Sequence, residues 1–335
     1  MTILALTMGE PAGIGGDIAL CAWTRRKANA MPPFVMIDDS GRLRNVARRL
    51  GLDIPIRDVA TPAEAEAAFA TALPVLHQPL AVMVEPGKPD PANVPMVKAA
   101  IERAVALALA GEVAGLVTNP IHKHVMYQGG FPYPGHTEFL AALLDRPGLR
   151  EVMMLACPQL RVVPVTIHLG LAEAIRSLST ELIVEIGRVT AKALKEDFAI
   201  ARPRLAVAGL NPHAGEGGAM GREDEEVVAP AIARLRALNI DALGPLPSDT
   251  LFHARARQSY DAALCMYHDQ ALIPIKTIDF DGGVNVTLGL PIVRTSPDHG
   301  TAFDLAGTGQ AKPDSLVAAL HMAATIAANR ERQHG

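Results

Sequence analysis

ILALTMGEPAGIGGD, residues 3–17, is typical of a short apolar strand (3–7) followed by a glycine-rich turn and the start of a helix. In open α/β proteins such a turn brings backbone N–H groups to an anion. The stretch has no Lys-Ser/Thr pair of a Walker loop, and Ile18 stands where the GxGxxG fingerprint needs glycine or alanine. Taken alone, it therefore predicts a tight βα turn and no conventional nucleotide fingerprint.

The same alternation of short apolar runs and longer segments of helical period continues along the chain. It is typical of βαβ units and predicts an α/β fold with a mostly parallel sheet. Helices are predicted where apolar residues recur every three or four positions. The predicted strands cover residues 3–7, 34–37, 80–84, 115–118, 151–156, 161–166, 204–209 and 262–267, and the helices cover 97–108, 137–144, 183–194, 222–238 and 316–326.

The composition is that of a globular protein that can bury a large core. Of 335 residues, 49% are hydrophobic and 20% are charged, and the net charge is −4, so neither disorder nor a nucleic-acid partner is expected. The charge run Arg222–Glu226 is interpreted as a solvated first turn of a helix.

The cysteines and the apolar runs bear on where the protein works. Three distant cysteines without a CxxC pair argue against a disulfide framework or a zinc ribbon. No apolar run approaches the roughly 18 residues of a membrane helix, and the first residues lack the basic start of a signal peptide. We therefore expect a cytoplasmic protein without a membrane partner.

Three of the eleven histidines, His168, His213 and His268, follow runs that we predict as strands. Ligands of open α/β sheets bind at the carboxyl ends of strands, so three imidazoles from three strand ends could meet around one divalent cation. Their separations match no local metal-binding motif. Each histidine taken singly is better explained as a hydrogen-bonded structural residue, whereas the shared strand-end position of all three leaves both interpretations open.

Other polar residues are unusual in so apolar a chain. His136 and Thr137 begin a predicted helix whose N-terminal N–H groups and dipole suit a phosphate, although they also suit a simple helix cap. Lys276 and Arg294 flank a glycine-rich extended segment, and with Asn285 they could hold a carboxylate or a phosphate. Exposed surface cations are the alternative explanation for Lys276 and Arg294.

Longer motifs indicate a family. They are TMGEPAGIGGDIAL, TNPIHK, GHTEFLA, NPHAGEGGAMGREDEEVVAPAI, GPLPSDTLF and MYHDQALIPIKTIDFDGGVNVTLGLPIVRTSPDHGTAFDLAGTG. In these the sequence closely resembles the 4-hydroxythreonine-4-phosphate dehydrogenases of pyridoxal phosphate biosynthesis, the PdxA family. The resemblance implies the two-domain α/β/α fold of isocitrate and isopropylmalate dehydrogenases, in a homodimer with its site in the interdomain cleft at the dimer interface. The expected domains are residues 1–130 with about 270–335, and residues 131–269.

The resemblance also implies roles for particular residues. Those expected to bind one divalent metal (zinc, cobalt, manganese or magnesium) are His168, His213 and His268. Those expected to bind the substrate are His136, Thr137, Lys276, Asn285 and Arg294. The tail DHGTAFDLAG is similar to a cofactor-binding stretch of the same fold, so NAD or NADP is expected at His299, Gly300, Thr301, Ala302 and Asp304. Catalytic proton transfer is assigned to Lys276, with Asp249 and Asp269 as rival bases or as partners that orient a histidine.

The implied reaction is oxidation of 4-phosphooxy-L-threonine at C3, followed by decarboxylation to 3-amino-2-oxopropyl phosphate. One alternative keeps this chemistry but takes a 4-phosphorylated sugar acid (erythronate or threonate) or a cyclic dihydrodiol carboxylate. Two further alternatives belong to other classes: a cofactor-free acyltransferase of related fold, and a noncatalytic module that binds a metal or a phosphate.

Overall fold

The structure is a computed structural model, which describes residues 3–146 and 148–334. The chain forms two compact units: unit 1 consists of Met1–Leu149 and Leu290–Glu331, and unit 2 of Arg150–Gly289 and Arg332–Gly335. The boundaries expected from the sequence, near 130 and 270, lie earlier along the chain than these divisions.

The strands, in chain order, are β1 Leu4–Thr7, β2 Phe34–Asp38, β3 Ile56–Asp58, β4 Leu73–His77, β5 Gly115–Thr118, β6 Val152–Cys157, β7 Leu160–Pro164, β8 Arg204–Ala208, β9 Asp241–Leu246, β10 Ala262–Cys265, β11 Val284–Leu288 and β12 Arg294–Pro297. The α-helices are α1 Gly15–Thr24, α2 Ser40–Arg49, α3 Pro62–Ala68, α4 Val94–Leu109, α5 Lys123–Gln128, α6 His136–Leu144, α7 Leu171–Ser177, α8 Thr180–Glu196, α9 Ala229–Ala237, α10 Ser248–Leu251, α11 His268–Ile278 and α12 Asp314–His334. Short 3-10 or π turns cover Pro91–Asn93, Pro212–Gly215, Asp224–Val228 and Ala256–Ser259.

Unit 1 has a parallel sheet in the order β3-β4-β2-β1-β5-β12. Helix α4 begins at a Pro-containing first turn and packs Val97, Ile101 and Ala104 into the core of this unit. Helix α6 belongs to the same core through Phe139 and Leu140, which is why residues beyond 130 fold with unit 1. All strands run in one direction, so the residues that follow β1, β2, β4 and β5 share one edge.

Unit 2 has its strands in the order β11-β6-β7-β10-β8-β9. The pairs β7–β10, β10–β8 and β8–β9 are parallel, whereas β11–β6 and β6–β7 are antiparallel. Its core contains Leu155, Val162, Ala206, Ala263 and Ile275. The prediction of an α/β fold with a mostly parallel sheet is therefore confirmed. No helix of the described residues is long and apolar enough to cross a membrane.

One prediction from the sequence is wrong, and a second holds only in part. The strand predicted at residues 80–84 is an irregular segment in which Val82 is 37% and Met83 is 57% exposed, and the strand beside β2 is Leu73–His77. The charge run Arg222–Glu226 is only partly solvated, because Asp224 is 1% exposed and accepts hydrogen bonds from the backbone N–H groups of Leu210 and Asn211. A buried carboxylate with two amide donors holds a loop in place, which charge patterning alone does not reveal.

Candidate active site

The first part of the candidate site is a buried cation in unit 1. Arg294 opens β12, is 4% exposed, and its Nη2 donates to Thr118 Oγ1 at 2.7 Å. Burial lowers the pKa of Arg294 to about 10, although the nearby Glu138 carboxylate partly opposes this effect. A buried guanidinium with several donors in a fixed fork is suited to a phosphate or a carboxylate.

His136 is the first residue of α6 and lies near Arg294. Burial and the Arg294 guanidinium hold the pKa of this imidazole well below its usual range, so the ring is neutral near pH 7. Its Nε2 atom is buried and has no hydrogen-bond partner among the described residues. Because an unpaired buried polar atom costs free energy, this nitrogen points to a ligand. Thr137 follows in the first turn, where backbone N–H groups have no partner within the helix.

Asn119 is a polar residue at the same sheet edge that the sequence analysis did not assign. It directly follows β5, is fully buried, and its Nδ2 donates to the carbonyl of Thr7 at 3.0 Å. Its Oδ1 has no partner among the described residues. Gly9 has φ +66° and lies so close that a Cβ there would be 2.8 Å from the Cβ of Asn119. The sequence signal that could have identified Asn119 is the Asn-Pro pair directly after an apolar strand.

The expected cofactor segment lies against the glycine-rich turn of residues 9–16. The Ile14 N–H donates to the carbonyl of Thr301 at 3.0 Å, and a Cβ at Gly13 would lie 2.9 Å from that oxygen. Nothing lies within 4 Å of the Cβ position of Gly300, so the backbone there is open to a ligand. Ala302 has φ +41°, and Asp304 is exposed. His299 Nδ1 lies 3.0 Å from the carbonyl of Gly300.

In unit 2, His168 and His268 lie close to each other. They follow β7 and β10, which are neighbouring parallel strands, and their ring centroids are 5.9 Å apart. Both line a cavity of about 230 Å³, together with Leu169, Leu171, Ala174, Tyr267 and Asp269. Metal–nitrogen bonds of about 2.1 Å put the centroids of two imidazoles on one metal no more than about 6.5 Å apart. The separation of the two rings is therefore within the limit for a shared metal.

His213 lies in the turn Pro212–Gly215 after β8, the strand beside β10. Its φ is +52°, and it does not line the His168–His268 cavity. Across residues 3–146 and 148–334, no group of three or more His, Cys, Asp or Glu side chains is arranged to hold a metal ion. The structure thus brings two of the three histidines together, and the complete ligand set stays a prediction.

The two candidate aspartates occupy different positions. Asp269 Oδ1 lies 2.7 Å from His268 Nδ1, the contact by which a carboxylate fixes a ring's orientation and leaves Nε2 for a ligand. Asp249 is exposed on α10 and is not among the residues that line the cavity. Gln270, which the sequence analysis did not assign, donates through Nε2 to the Gly209 carbonyl and to Ser248 Oγ, both at 2.7 Å. It ties the ends of β8 and β10 to α10.

Lys276 and Asn285 both lie in unit 2. Lys276 is half-buried in the last turn of α11, with its Nζ 5.4 Å from the ring centroid of Phe280. Asn285 is on β11, and its Oδ1 is buried with no hydrogen-bond partner in the described chain. An unpaired amide oxygen is available to an N–H or O–H donor of a ligand.

Comparisons with known proteins cover nearly the whole chain. The family model for pyridoxal phosphate biosynthetic protein PdxA matches residues 29–323. A 4-hydroxythreonine-4-phosphate dehydrogenase of Bradyrhizobium diazoefficiens is 53% identical, with 97% of each chain covered. The protein of that name from Caulobacter vibrioides is 55% identical, with 98% of each chain covered. The crystal structure of 4-hydroxythreonine-4-phosphate dehydrogenase from Klebsiella pneumoniae is 38% identical, with a TM-score of 0.88 over 98% of this chain and 100% of that chain.

Proposed function

Because the chain belongs to the PdxA family of pyridoxal phosphate biosynthetic proteins, we propose that it is an NAD(P)-dependent dehydrogenase that acts on 4-phosphooxy-L-threonine. The reaction is oxidation of the C3 hydroxyl followed by loss of carbon dioxide, which yields 3-amino-2-oxopropyl phosphate. The observation that carries this proposal is identity of 53% and 55%, over nearly the full length, to relatives named for this activity.

The substrate phosphate is assigned to Arg294, His136 and Thr137. The Arg294 guanidinium supplies two parallel donors, and its hydrogen bond to Thr118 holds the fork in one orientation. The neutral His136 ring keeps one N–H that can donate to a phosphate oxygen, and the first-turn N–H of Thr137 adds a third kind of donor. Holding the phosphate end restricts the orientations that the rest of the substrate can take.

Proton transfer at the C3 hydroxyl is assigned to Lys276, and the substrate is further held by Asn285. Asp269 orients the His268 ring through their 2.7 Å contact. A divalent metal (zinc, cobalt, manganese or magnesium) held by His168, His213 and His268 would supply positive charge that eases loss of the hydroxyl proton and stabilises the electron pair left by decarboxylation. NAD or NADP, held by the backbone at His299, Gly300, Thr301, Ala302 and Asp304, would accept the hydride.

A 4-phosphorylated sugar acid, erythronate or threonate, is the second candidate substrate. The buried Arg294 and the unpaired Nε2 of His136 favour any phosphate ester, so they do not separate these compounds from 4-phosphooxy-L-threonine. The phosphate site assigned to His136 and Thr137 at the start of α6 argues against a cyclic dihydrodiol carboxylate, which has no phosphate. A phosphorylated substrate is also consistent with the family description.

We further propose a cytoplasmic homodimer with the active site at the dimer interface. Leu169 and Leu171, which line the His168–His268 cavity, are 45% and 59% exposed, and a partner surface would cover such apolar side chains. Cys21, Cys157 and Cys265 are too few and too far apart along the chain for a disulfide framework, which favours a reducing compartment. Sedimentation equilibrium at assay concentration measures the assembly: a dimeric mass supports the proposal, and a monomeric mass contradicts it.

The substrate assignment is tested by NADH or NADPH formation with purified full-length protein. The panel consists of 4-phosphooxy-L-threonine, erythronate 4-phosphate, threonate 4-phosphate and unphosphorylated 4-hydroxy-L-threonine. We expect turnover with the first compound and, because the phosphate contacts are lost, at least about a hundredfold lower kcat/KM with the last. Turnover with only the sugar-acid phosphates would move the protein to the second candidate function.

A further inference from the structure

Unit 1 contains a second cavity, of about 620 Å³, that none of the assigned substrate or metal residues lines. Its residues follow the carboxyl ends of β1, β2 and β4, the edge of a parallel sheet at which ligands bind. The volume is within the range of small-molecule sites, about 300–1,000 Å³. The lining residues are Pro11, Arg42, Asn45, Val46, Arg48, Arg49, Met83, Val84 and Pro86.

The lining combines apolar walls with free positive charge. Pro11, Val46, Met83, Val84 and Pro86 are apolar, and none of the nine residues is acidic. Arg42 does not contribute net charge, because it is buried and forms a salt bridge with Asp38 at 2.6 Å, while its Nη1 donates to the Pro11 carbonyl. Arg48 and Arg49, in the last turn of α2, are exposed and carry the charge of the cavity.

Arg49 has no hydrogen bond or ion pair with any residue that the structure describes, and the two carboxylates that influence it are engaged elsewhere. Asp17 accepts a hydrogen bond from the Gly307 N–H at 2.6 Å. Glu85 pairs with Lys88 at 2.7 Å. Arg49 is therefore available to a ligand. Because the cavity lining has no acidic residue, this cation is suited to an anionic ligand.

The cavity adjoins the segment assigned to the cofactor. A Cβ at Gly307, a few residues after Asp304, would lie 2.8 Å from Arg49 Cδ and 2.9 Å from Pro86 Cγ. The Gly87 N–H also donates to the carbonyl of Ala12 in the glycine-rich turn. The backbone that flanks the cofactor segment is thus in contact with two residues of the cavity lining.

We propose that this cavity binds the adenosine end of the dinucleotide, and that Arg48 and Arg49 bind the 2′-phosphate and so favour NADP over NAD. The apolar walls match a purine ring, and arginine is the residue that accommodates the 2′-phosphate in other dinucleotide sites, where an acidic residue selects NAD. This inference rests on the proposed dehydrogenase function, because it assigns the cofactor of that reaction.

The test uses fragments of the cofactor, so that binding is measured without turnover. Isothermal titration calorimetry of the full-length protein with 2′,5′-ADP and with 5′-AMP should give at least about tenfold tighter binding of 2′,5′-ADP, because charge-assisted hydrogen bonds hold the 2′-phosphate. The double variant Arg48→Gln/Arg49→Gln should reduce this preference to within about twofold. Arg44→Gln, which removes one arginine from the same helix outside the cavity, should keep it.

Two results would overturn the inference: equal affinity of the parent for both fragments, or an unchanged preference in the double variant with the melting temperature retained. Binding of neither fragment would overturn it as well. None of these results affects the proposed function if the parent still oxidises 4-phosphooxy-L-threonine with NAD. Conversely, tight binding of 2′,5′-ADP without oxidation of any panel substrate would leave the nucleotide site in place and reject the dehydrogenase.

Discussion

Arg294 Nη2 donates a hydrogen bond to Thr118 Oγ1 at 2.7 Å, and the side chains of both residues are buried. Thr118 ends β5 and Arg294 begins β12, the neighbouring parallel strand, so two adjacent strands fix one guanidinium. Thr118 is therefore a positioning residue for the cation that we assign to the substrate phosphate.

Replacement of Thr118 by valine should raise KM for 4-phosphooxy-L-threonine and lower kcat/KM about tenfold, because the guanidinium loses its fixed orientation. Loss of the buried acceptor should also cost about 1–3 kcal/mol of unfolding free energy. Thr295→Val is a matched control: Thr295 is buried beside Arg294, but its hydroxyl donates to the carbonyl of Ala319 at 2.8 Å. Similar kinetic losses in both variants would reject a specific role for Thr118.

The lowered pKa of His136 predicts a pH dependence of stability. The folded protein keeps this ring neutral, whereas the unfolded chain binds a proton with the ordinary pKa of 6.5. The contribution to stability is therefore fully present above about pH 6.5 and is lost as pH falls toward the lower pKa of the folded state. Between pH 7 and pH 5, urea unfolding should show a smaller loss of stability for His136→Gln than for the parent. Equal losses would contradict the assignment of a neutral ring.

Each of the substitutions His168→Ala, His213→Ala and His268→Ala should lower the metal content of the purified protein while the circular dichroism spectrum is retained. Metal per chain is measured by mass spectrometry after dialysis against zinc or cobalt. His253→Ala, at an exposed position outside the cavity, is the control. Parent-like metal content in all three variants, or full activity after rigorous metal removal, would reject the metal role.

Lys276→Met should lower kcat about a hundredfold or more, because a positioned acid or base commonly contributes that much. The control is Lys195→Met, which also removes a lysine from the last turn of a helix in unit 2 but at an exposed position. Rapid-quench measurement of the chemical step separates kcat from substrate affinity. A chemical step within a few-fold of the parent, with only affinity reduced, would reject proton transfer by Lys276.

The sequence predicts those parts of the fold whose signal is local. The strand at Gly115–Thr118 and the helix around residues 97–108 follow from apolar runs and helical period, and the structure has both. β12, with the sequence Arg-Thr-Ser-Pro, was missed because its buried residues are polar and their partners come from other elements. β9 contains Gly244 and Pro245, which in a sequence are typical of a turn.

The candidate site also has some features that the sequence indicates and others that it does not. The position of His168 and His268 after predicted strands indicates that they could meet, and in the structure they follow neighbouring parallel strands that end at one edge. No local pattern in the sequence shows that His213 is not among the residues lining that cavity, or that Asn119 Oδ1 has no partner among the described residues. The position of His213 depends on the left-handed backbone of His213, Ala214 and Gly215. The surroundings of Asn119 depend on the close approach of Gly9 to residues 119–120.

The most direct test of the dehydrogenase account is the stoichiometry of the reaction with 4-phosphooxy-L-threonine. Purified protein is supplied with a divalent metal and with NAD or NADP, and reduced cofactor and released carbon dioxide are measured together in a sealed reaction. We predict one reduced cofactor and one carbon dioxide for each substrate consumed. The account would be contradicted if the folded, metal-loaded protein consumed no substrate and formed no reduced cofactor.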